Sequence, residues 1–391
     1  MPLSLSQRAA RTVQSEIRVM SIECEKINGI NLAQGVCDTP VPEEVREGAR
    51  RAMERGINSY TRAEGLAPIR EAIAEKMHRF NGLECDPETE VIVNSGSTGS
   101  FYTACLALLN PGDEVILFEP FYGYHFNTLV AAEAVPAFVT LRAPDWKFSP
   151  EDLERAVTPR TRGIMVNSPA NPSGKVFTQA ELESIAEFAR KHDLFVFTDE
   201  IYEYFIYEGR HISPATLPGM RERTITISGY SKTFSITGWR VGYTICDRKW
   251  AQAIAYFHDL VYVCAPAPLQ IGVAEGICTL PQSFYDGIAK EYLHKRDLLC
   301  GTLAEVGLTP SVPKGAYYVL ADAGTLPGRN SKEKSMVLLR ETGVATVAGS
   351  AFYHGAAGEN LVRFCFAKTD SELEEACRRL KTLPEKLGAG Q

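Results

Sequence analysis

Long apolar runs are missing from this 391-residue sequence, and no stretch approaches the roughly 18 uninterrupted apolar residues that a membrane span requires. An excess of positive charge is also missing, since 41 Lys and Arg face 48 Asp and Glu, for a net charge of −7 at pH 7. This balance argues against a protein that lives on nucleic acid or on an anionic membrane. Residues 1–16 are polar and no apolar segment follows them, so we expect no secretory signal and a cytoplasmic location.

Patterns typical of metal sites and disulfide frameworks are equally scarce. The ten cysteines are scattered along a long chain with no Cys-x-x-Cys pair, and the seven histidines include no His-Glu-x-x-His spacing. Disulfide frameworks are typical of short secreted chains, so we predict free, mostly buried thiols and no metal dependence. No internal repeat or low-complexity tract is present, and a composition of 45% apolar and 23% charged residues indicates an ordinary globular protein.

Short apolar runs alternate with helical patterns through the middle of the chain. Most of these runs are continuously apolar, as in strands covered on both faces, and patterns such as residues 179–191 separate them with helical spacing. The alternation predicts an α/β fold with a mostly parallel seven-stranded sheet covered by helices. The candidate strands are residues 91–94, 114–118, 137–140, 163–167, 194–198, 224–228 and 241–245.

The two ends of the chain differ from this central pattern. We predict a large α/β domain over residues 50–298 and a smaller α+β domain formed by residues 1–49 and 299–391. Ligands of open α/β sheets bind at the carboxyl ends of strands, so chemistry is expected there in the large domain. The predicted terminal elements are an irregular stretch at 31–42, a helix from about 299, strands near 317–320 and 361–366, and a final helix at 371–383.

A segment rich in small and hydroxyl residues follows the first candidate strand. It reads Asn-Ser-Gly-Ser-Thr-Gly-Ser over residues 94–100 and leads into a helical pattern at 101–109. Small residues at such a junction leave backbone N–H groups free to bind an anion, and the hydroxyls of Ser97 and Thr98 could also bind phosphate. Taken alone, the segment favours an ordinary turn and N-cap. It is neither a Walker loop nor a Gly-x-Gly-x-x-Gly motif.

Three further strand ends carry an amide, an acid and a lysine. Two X-Pro steps stiffen the loop at 167–174 and present Asn171, and Asp199 directly follows the strand at 194–198. Lys232 stands among small and hydroxyl residues, eight positions before Arg240. Taken singly, the loop favours a plain turn, whereas the acid and the lysine leave structural and functional roles open.

Together these segments supply the groups that pyridoxal phosphate requires. Its aldehyde needs a lysine amine for a Schiff base, and its ring nitrogen needs a carboxylate to stay protonated. Its phosphate needs N–H groups and an arginine, and its ring oxygen needs neutral hydrogen-bond donors. The combination therefore predicts pyridoxal 5'-phosphate as cofactor.

Four segments, in order along the chain, closely resemble the class I/II aminotransferases, which are pyridoxal-phosphate enzymes of fold type I. They are N-S-Y-T-R-A-E-G-L-A-P-I-R-E-A-I-A at 58–74, N-S-P-A-N-P-S-G at 167–174, D-E-I-Y at 199–202 and S-K-T-F-S-I-T-G-W-R-V-G at 231–242. The resemblance covers nearly the whole chain, from about residue 31 to the last helix. It implies an aminotransferase that moves an amino group from an L-amino acid to a 2-oxo acid through Schiff-base and pyridoxamine intermediates.

The resemblance also implies roles for individual residues around the cofactor. Lys232 is similar to the Schiff-base lysine, which then carries the proton between the substrate Cα and the cofactor C4′. Asp199 is similar to the partner of the pyridine nitrogen, and Asn171 and Tyr202 to the donors to the ring hydroxyl. The positions that hold the phosphate in this family are occupied here by Ser97, Thr98, Ser231 and Arg240.

Further roles follow from the same resemblance at the substrate and subunit level. Tyr122 matches the aromatic residue stacked on the cofactor ring, although an ordinary core aromatic is the alternative. Tyr60 resembles a tyrosine that reaches the phosphate of the neighbouring subunit, which implies a homodimer with shared active sites. Arg363 resembles the arginine that binds the substrate α-carboxylate, and Gly35 and Asn171 lie beside that carboxylate in the family.

Three positions depart from the family pattern. Gly229 stands where many members carry a phosphate-binding serine, Cys37 where a proline is common, and Ala348 where the pattern is Pro-Gly. The first change affects how the cofactor is held. The other two leave the substrate class open.

Neither the cofactor nor these motifs decide the reaction or its substrate. Amino transfer is the leading hypothesis; the alternatives are a β-eliminating lyase such as a cysteine-S-conjugate lyase, and a binding or regulatory protein without turnover. Phe121, Tyr124 and Tyr60 favour a broad enzyme of the kynurenine, glutamine or aromatic type over a strict aspartate enzyme. Arg62 could bind a distal carboxylate from the neighbouring subunit, but its position favours an exposed arginine.

Overall fold

The structure is a computed structural model that describes residues 3–12 and 16–388. Its helices are α1 (Gln7–Arg11), α2 (Glu16–Lys26), α3 (Glu43–Glu54), α4 (Ala67–Lys76), α5 (Gly96–Leu108), α6 (Gly123–Ala131), α7 (Pro150–Ala156), α8 (Gln179–Lys191), α9 (Arg248–Tyr262), α10 (Ala267–Thr279), α11 (Gln282–Glu305), α12 (Ser331–Thr342), α13 (Asp370–Leu380) and α14 (Leu383–Gly388). Its strands are β1 (Ile30–Asn31), β2 (Val91–Asn94), β3 (Glu114–Glu119), β4 (Val135–Thr140), β5 (Thr161–Asn167), β6 (Phe195–Asp199), β7 (Thr224–Gly229), β8 (Gly242–Ile245), β9 (Thr309–Ser311), β10 (Tyr318–Asp322), β11 (Val344–Ala345), β12 (Val347–Ala348) and β13 (Leu361–Cys365).

The central sheet contains the seven predicted strands. Its order is β2-β8-β7-β6-β5-β3-β4, and β8 alone runs opposite to the other six strands. Every residue of β2, β3, β7 and β8 is buried, as expected for strands that helices cover on both faces. The predicted α/β fold with a mostly parallel, helix-covered sheet is confirmed.

Three local predictions needed correction. The helix expected from about residue 299 is the end of α11, which begins at Gln282. The helix expected from residue 101 begins at Gly96, so Ser97 and Thr98 lie in its first turn. The single helix expected over residues 371–383 is two helices, α13 and α14. The break follows from Pro384, whose ring nitrogen has no N–H to continue the hydrogen bonds of the preceding helix.

Both ends of the chain meet beside the central sheet. Strand β1 pairs in parallel with β11, and a second sheet has the antiparallel order β12-β13-β10-β9. Strands β10 and β13 correspond to the predicted strands near 317–320 and 361–366. The boundaries 50–298 for the large domain and 1–49 with 299–391 for the small domain stay a prediction. No helix in the described part of the chain is long and apolar enough to cross a membrane.

A buried ion pair lies beneath the turn that follows β6. Lys76 at the end of α4 pairs with Glu203, and their side chains are only 2% and 3% exposed. The second carboxylate oxygen of Glu203 accepts a hydrogen bond of 3.0 Å from Asn81 Nδ2. Burial raises the pKa of Glu203, but Lys76 and His211 outweigh that effect and hold the pKa below its ordinary value.

Replacing Lys76 with methionine should lower the free energy of unfolding by about 3–5 kcal/mol, because Glu203 stays buried without its counter-charge. The measurement is urea unfolding near pH 7, and the double variant Lys76→Met/Glu203→Gln should recover most of the loss. Because the folded-state pKa of Glu203 is depressed, its contribution is present above the unfolded-state pKa and is lost as the pH falls through the folded value. A single variant as stable as the wild type would contradict the prediction.

Candidate active site

One cavity at the carboxyl ends of the central strands brings together most of the predicted site residues. It is lined by residues that follow β2, β5, β6 and β7, together with residues at the start of α6. This is the edge at which an open α/β sheet binds its ligands. The predicted residues among its lining are Ser97, Thr98, Tyr122, Asn171, Asp199, Tyr202, Ser231, Lys232 and Arg240.

One end of the cavity is formed by the N-terminus of α5. Gly96 has φ +73°, a left-handed conformation that favours glycine, and a Cβ atom there would collide with the guanidinium of Arg240. The first-turn N–H groups, including that of Ser97, the hydroxyl of Thr98 and the guanidinium lie together at this end of the cavity. Such a cradle has the donors and the charge that a phosphate requires.

Close packing explains why a glycine stands at position 229. Gly229 on β7 pairs with Gly242 on β8, and an added Cβ would lie 2.9 Å from the Gly242 Cα and 3.2 Å from Ser97 Oγ. A side chain at this position would crowd the backbone of Val241 and Gly242 and the hydroxyl of Ser97. Ser97 in turn donates a hydrogen bond of 3.0 Å to the carbonyl oxygen of Ser228, which holds the start of α5 against β7.

Lys232 reaches across the cavity to the N-terminal segment that contains Gly35. Its Nζ donates a hydrogen bond of 2.9 Å to the carbonyl oxygen of Gly35, and desolvation by burial lowers the pKa of its ammonium group. A lowered pKa increases the neutral fraction of the amine, the form that attacks a carbonyl carbon. The Cys37 thiol contacts the Lys232 carbonyl oxygen at 3.6 Å, so the residue that replaces the family proline packs against the lysine backbone.

Asp199 is held by a histidine that the sequence analysis missed. His125 Nε2 lies 2.9 Å from Asp199 Oδ2, and the histidine is buried. The pair leaves Asp199 Oδ1 at 3.3 Å from the backbone N–H of Ile201, and both members line the cavity. The one available signal was the proximity of His125 to Tyr122 at the start of α6, and a lone histidine there carries little information.

The ring of Tyr122 lies edge-to-face against His125, with centroids 5.2 Å apart and planes at 88°.

The hydroxyl of Tyr202 lies 3.0 Å from that of Tyr318, a second residue that the sequence analysis missed. Burial raises the pKa of Tyr202 well above its ordinary value, so the phenol stays a neutral donor. Tyr318 lies on β10, far from Tyr202 in sequence, and no local pattern indicates the contact.

Arg363 does not line the cavity directly but contacts a residue that does. Its Nη1 donates a hydrogen bond of 2.9 Å to Asn171 Oδ1, and its Nη2 bonds the carbonyl oxygen of Ala33. The side chain is fully buried, its guanidinium lies 4.5 Å from the Tyr318 ring centroid, and its Nε has no partner within the described residues. A buried guanidinium with a donor to spare suits a carboxylate ligand.

The two remaining predicted residues differ in their placement. Gly35 lies beside the site, because its carbonyl oxygen accepts from Lys232 and, at 3.3 Å, from the hydroxyl of Tyr317. A Cβ at Gly35 would collide with the Tyr318 hydroxyl. Tyr60 is 83% exposed and lies outside the cavity of its own chain.

Comparison with known proteins agrees with this arrangement. The family "Aminotransferase class I and II" matches residues 27–380. The aromatic-amino-acid aminotransferase 2 of Thermococcus litoralis is 36% identical over 98% of this chain and 99% of its own. The kynurenine–oxoglutarate transaminase of Dictyostelium discoideum is 36% identical over 90% of each chain. The solved N-succinyldiaminopimelate aminotransferase of Mycobacterium tuberculosis has a TM-score of 0.94 at 36% identity, over 97% of this chain and 100% of its own.

The donor set of the cavity fits the cofactor of this family. It offers an amine at Lys232, a carboxylate at Asp199 and an anion cradle between α5 and Arg240. These are the three groups that pyridoxal phosphate needs for covalent attachment, for protonation of its ring nitrogen and for binding of its phosphate. The chain therefore belongs to the class I and II aminotransferases, the pyridoxal-phosphate-dependent enzymes that transfer amino groups.

Proposed function

We propose that this aminotransferase binds pyridoxal phosphate in the described cavity and prefers L-amino acids with aromatic or bulky apolar side chains as donors. The observation that carries the cofactor site is the amine of Lys232, which lies on the cavity wall among the other predicted donors. Burial lowers the pKa of this amine. Asp199, supported by His125, would hold the proton of the ring nitrogen. Asn171 and Tyr202 would donate to the ring hydroxyl. The phosphate would lie against Ser97, Thr98, Ser231 and Arg240.

When bound, pyridoxal phosphate supplies an electron sink for the pair left behind when the substrate Cα loses its proton. Lys232 would take this proton and return it, because its amine lies on the cavity wall and burial lowers its pKa, which favours the neutral form that accepts a proton. Arg363 would orient the substrate by binding its α-carboxylate with the guanidinium fork. Tyr122 would cover one face of the cofactor ring.

The preference for large apolar side chains rests on a second cavity. It shares Tyr122 and Tyr124 with the first cavity. Its lining combines the apolar Ile17, Phe121, Phe126 and Phe352 with the charged Glu16, Lys332 and Glu359. The aromatic residues on its wall favour an aromatic or aliphatic side chain, which gains apolar contact there.

Two cations that could bind a distal carboxylate are already paired. Lys332, which lines it, pairs with Glu16 at 2.6 Å. Arg62, the candidate for a distal carboxylate, is exposed and pairs with Glu64 and Glu88. A second carboxylate on the donor would therefore have to displace an existing ion pair, so aspartate should be a poorer donor than phenylalanine.

The proposal includes a homodimer with shared sites. It is supported by the 83% exposure of Tyr60, a large aromatic side chain that lines neither of the two cavities described above. The cytoplasmic location stays a prediction from the polar sequence of residues 1–16.

The test of the proposed function is the absorbance spectrum of the purified holoenzyme with single amino acids and no oxo acid. Phenylalanine, methionine, kynurenine, glutamine and aspartate form the panel, and we expect the visible band of the lysine-linked cofactor to convert stably to that of the aminated cofactor. Phenylalanine should convert faster than aspartate. A band that recovers while ammonia and a 2-oxo acid accumulate would instead establish the β-eliminating lyase.

Loss of the histidine beside Asp199 should weaken cofactor binding. His125→Phe removes the hydrogen bond to Asp199 and leaves a buried carboxylate with one partner fewer, so the dissociation constant for pyridoxal phosphate should rise about tenfold or more. His125→Gln keeps a donor and should lose less. Titration of the apoenzyme with the cofactor gives both values, and equal affinity of wild type and His125→Phe would refute this supporting role.

A further inference from the structure

His258 on α9 joins two segments that are distant in sequence. Its Nε2 accepts a hydrogen bond of 3.1 Å from the backbone N–H of Ser95, and its Nδ1 donates one of 3.1 Å to the carbonyl oxygen of Ala63. The residue has no exposed surface. The imidazole therefore acts as a direct bridge between the residues before α5 and the loop before α4.

The partners of His258 decide its chemical form. A backbone N–H can only donate and a carbonyl oxygen can only accept, so Nε2 must lack a proton and Nδ1 must carry one. Burial lowers the pKa of His258, which also favours the neutral ring. Only a side chain with one donor and one acceptor at this spacing can serve both segments.

The first bridged segment leads directly into the cavity. Ser95 immediately precedes Gly96, the first residue of α5, and the next two residues line the cradle end. Helix α9 also packs against α5 one turn further on, where a Cβ on Gly99 would lie 3.3 Å from the Tyr262 ring. The position of His258 therefore sets where the first turn of α5 presents its N–H groups.

The second bridged segment carries Tyr60. Ala63 lies three residues after this tyrosine, in a loop whose later part is already attached to the fold. There the N–H of Val93 bonds the Glu64 carbonyl oxygen at 2.9 Å, and the N–H of Leu66 bonds Gln270 at 2.9 Å. The bond from His258 to Ala63 is thus a further anchor on the side that faces Tyr60.

We propose that His258 is a positioning residue. It fixes the phosphate cradle at the start of α5 relative to the loop that carries Tyr60 and Ala63, which we call the Tyr60 loop. This proposal rests on the proposed cofactor site and the proposed homodimer. In that dimer the cradle serves one active site and the Tyr60 loop serves the other, so one imidazole positions phosphate-binding groups of both sites.

The first test compares His258→Phe, His258→Gln and the exposed-site control His294→Phe. The readouts are the dissociation constant for pyridoxal phosphate, from titration of the apoenzyme, and the melting temperature of the apoenzyme. We expect His258→Phe to bind the cofactor at least tenfold more weakly. His258→Gln retains a donor and an acceptor and should recover most of the affinity, and His294→Phe should match the wild type.

Two results would overturn the positioning role. One is wild-type cofactor affinity in His258→Phe. The other is an equal loss of affinity and of apoenzyme melting temperature in both His258 variants, which would make the histidine a packing residue. A wild type that binds no pyridoxal phosphate would instead refute the proposed function, so the two failures are distinguishable.

Hybrid dimers test the claim about both sites. Each hybrid retains one functional Lys232, the other being Lys232→Ala, and His258→Phe is placed either in the chain with the lysine or in its partner. We expect the visible band at the remaining lysine to form at higher cofactor concentration in both hybrids than in a hybrid without His258→Phe. An effect confined to the chain with the lysine would overturn the two-site claim, whereas a monomeric wild type on size-exclusion chromatography would refute the homodimer.

Discussion

Replacing Lys232 with alanine is expected to reduce the rate of amino transfer by about 10⁴-fold or more. The variant loses both the amine that attaches the cofactor and the base that moves the proton at the substrate Cα. The fold should survive, because the Nζ of Lys232 makes one hydrogen bond, to the Gly35 carbonyl oxygen, and its removal leaves a small gap at a cavity wall. The measurement is turnover with phenylalanine and 2-oxoglutarate, together with the absorbance spectrum.

The matched control is Lys290→Ala, which removes an exposed lysine from α11. It should keep wild-type turnover and the visible band. Lys232→Ala should keep its melting temperature within a few degrees of the wild type, and added primary amines should restore part of the lost rate. Wild-type turnover in Lys232→Ala would refute the assignment of this lysine.

Replacing Arg363 with lysine is expected to lower kcat/KM for amino donors by about 100-fold or more. Lysine keeps a positive charge but lacks the two parallel N–H groups with which a guanidinium holds a carboxylate. The loss should fall mainly on KM, because the substrate is held less tightly while the cofactor groups stay in place. Asn171 loses its hydrogen bond from Arg363 but stays held by its backbone N–H, which donates to Asn167 Oδ1 at 2.8 Å.

Arg340→Lys is the control for this substitution, since Arg340 is an exposed arginine on α12 that bonds the Met336 carbonyl oxygen. It should leave KM and the melting temperature unchanged. The visible spectrum of Arg363→Lys should resemble that of the wild type and so separate substrate binding from cofactor binding. An unchanged KM for several amino acids would show that another group binds the α-carboxylate.

Much of the fold could be predicted because its signals are local. The strands of the central sheet are short apolar runs between turn residues, and α8 spans the predicted residues 179–191 and begins with a Thr178–Glu181 capping box. The start of α5 was placed too late, because glycine and hydroxyl residues are poor helix formers. At that position the close approach of Gly242 to the backbone of Gly96 and Ser97 and the bond from Ser97 to Ser228 stabilise the first turn.

The site residues likewise fall into those that a local motif marks and those that only the folded chain reveals. Lys232, Asp199 and Asn171 stand in dense motifs at strand ends, and such motifs indicate chemistry without a structure. His125, Tyr318 and His258 are single residues in unremarkable surroundings. Each acts through one or two contacts with segments far away in the sequence, and no periodicity or spacing marks such contacts.

The sequence by itself determined the alternation of strands and helices, the motifs at the strand ends and, through them, the aminotransferase family and its cofactor. Only the tertiary structure decided that Lys232 meets Gly35 and that Arg363 meets Asn171, contacts between residues 197 and 192 positions apart. The physical reason is that strand and helix patterns arise from neighbouring side chains. A hydrogen bond between distant segments instead requires both partners to be placed to within a few tenths of an ångström, and the packing of the whole chain sets their positions.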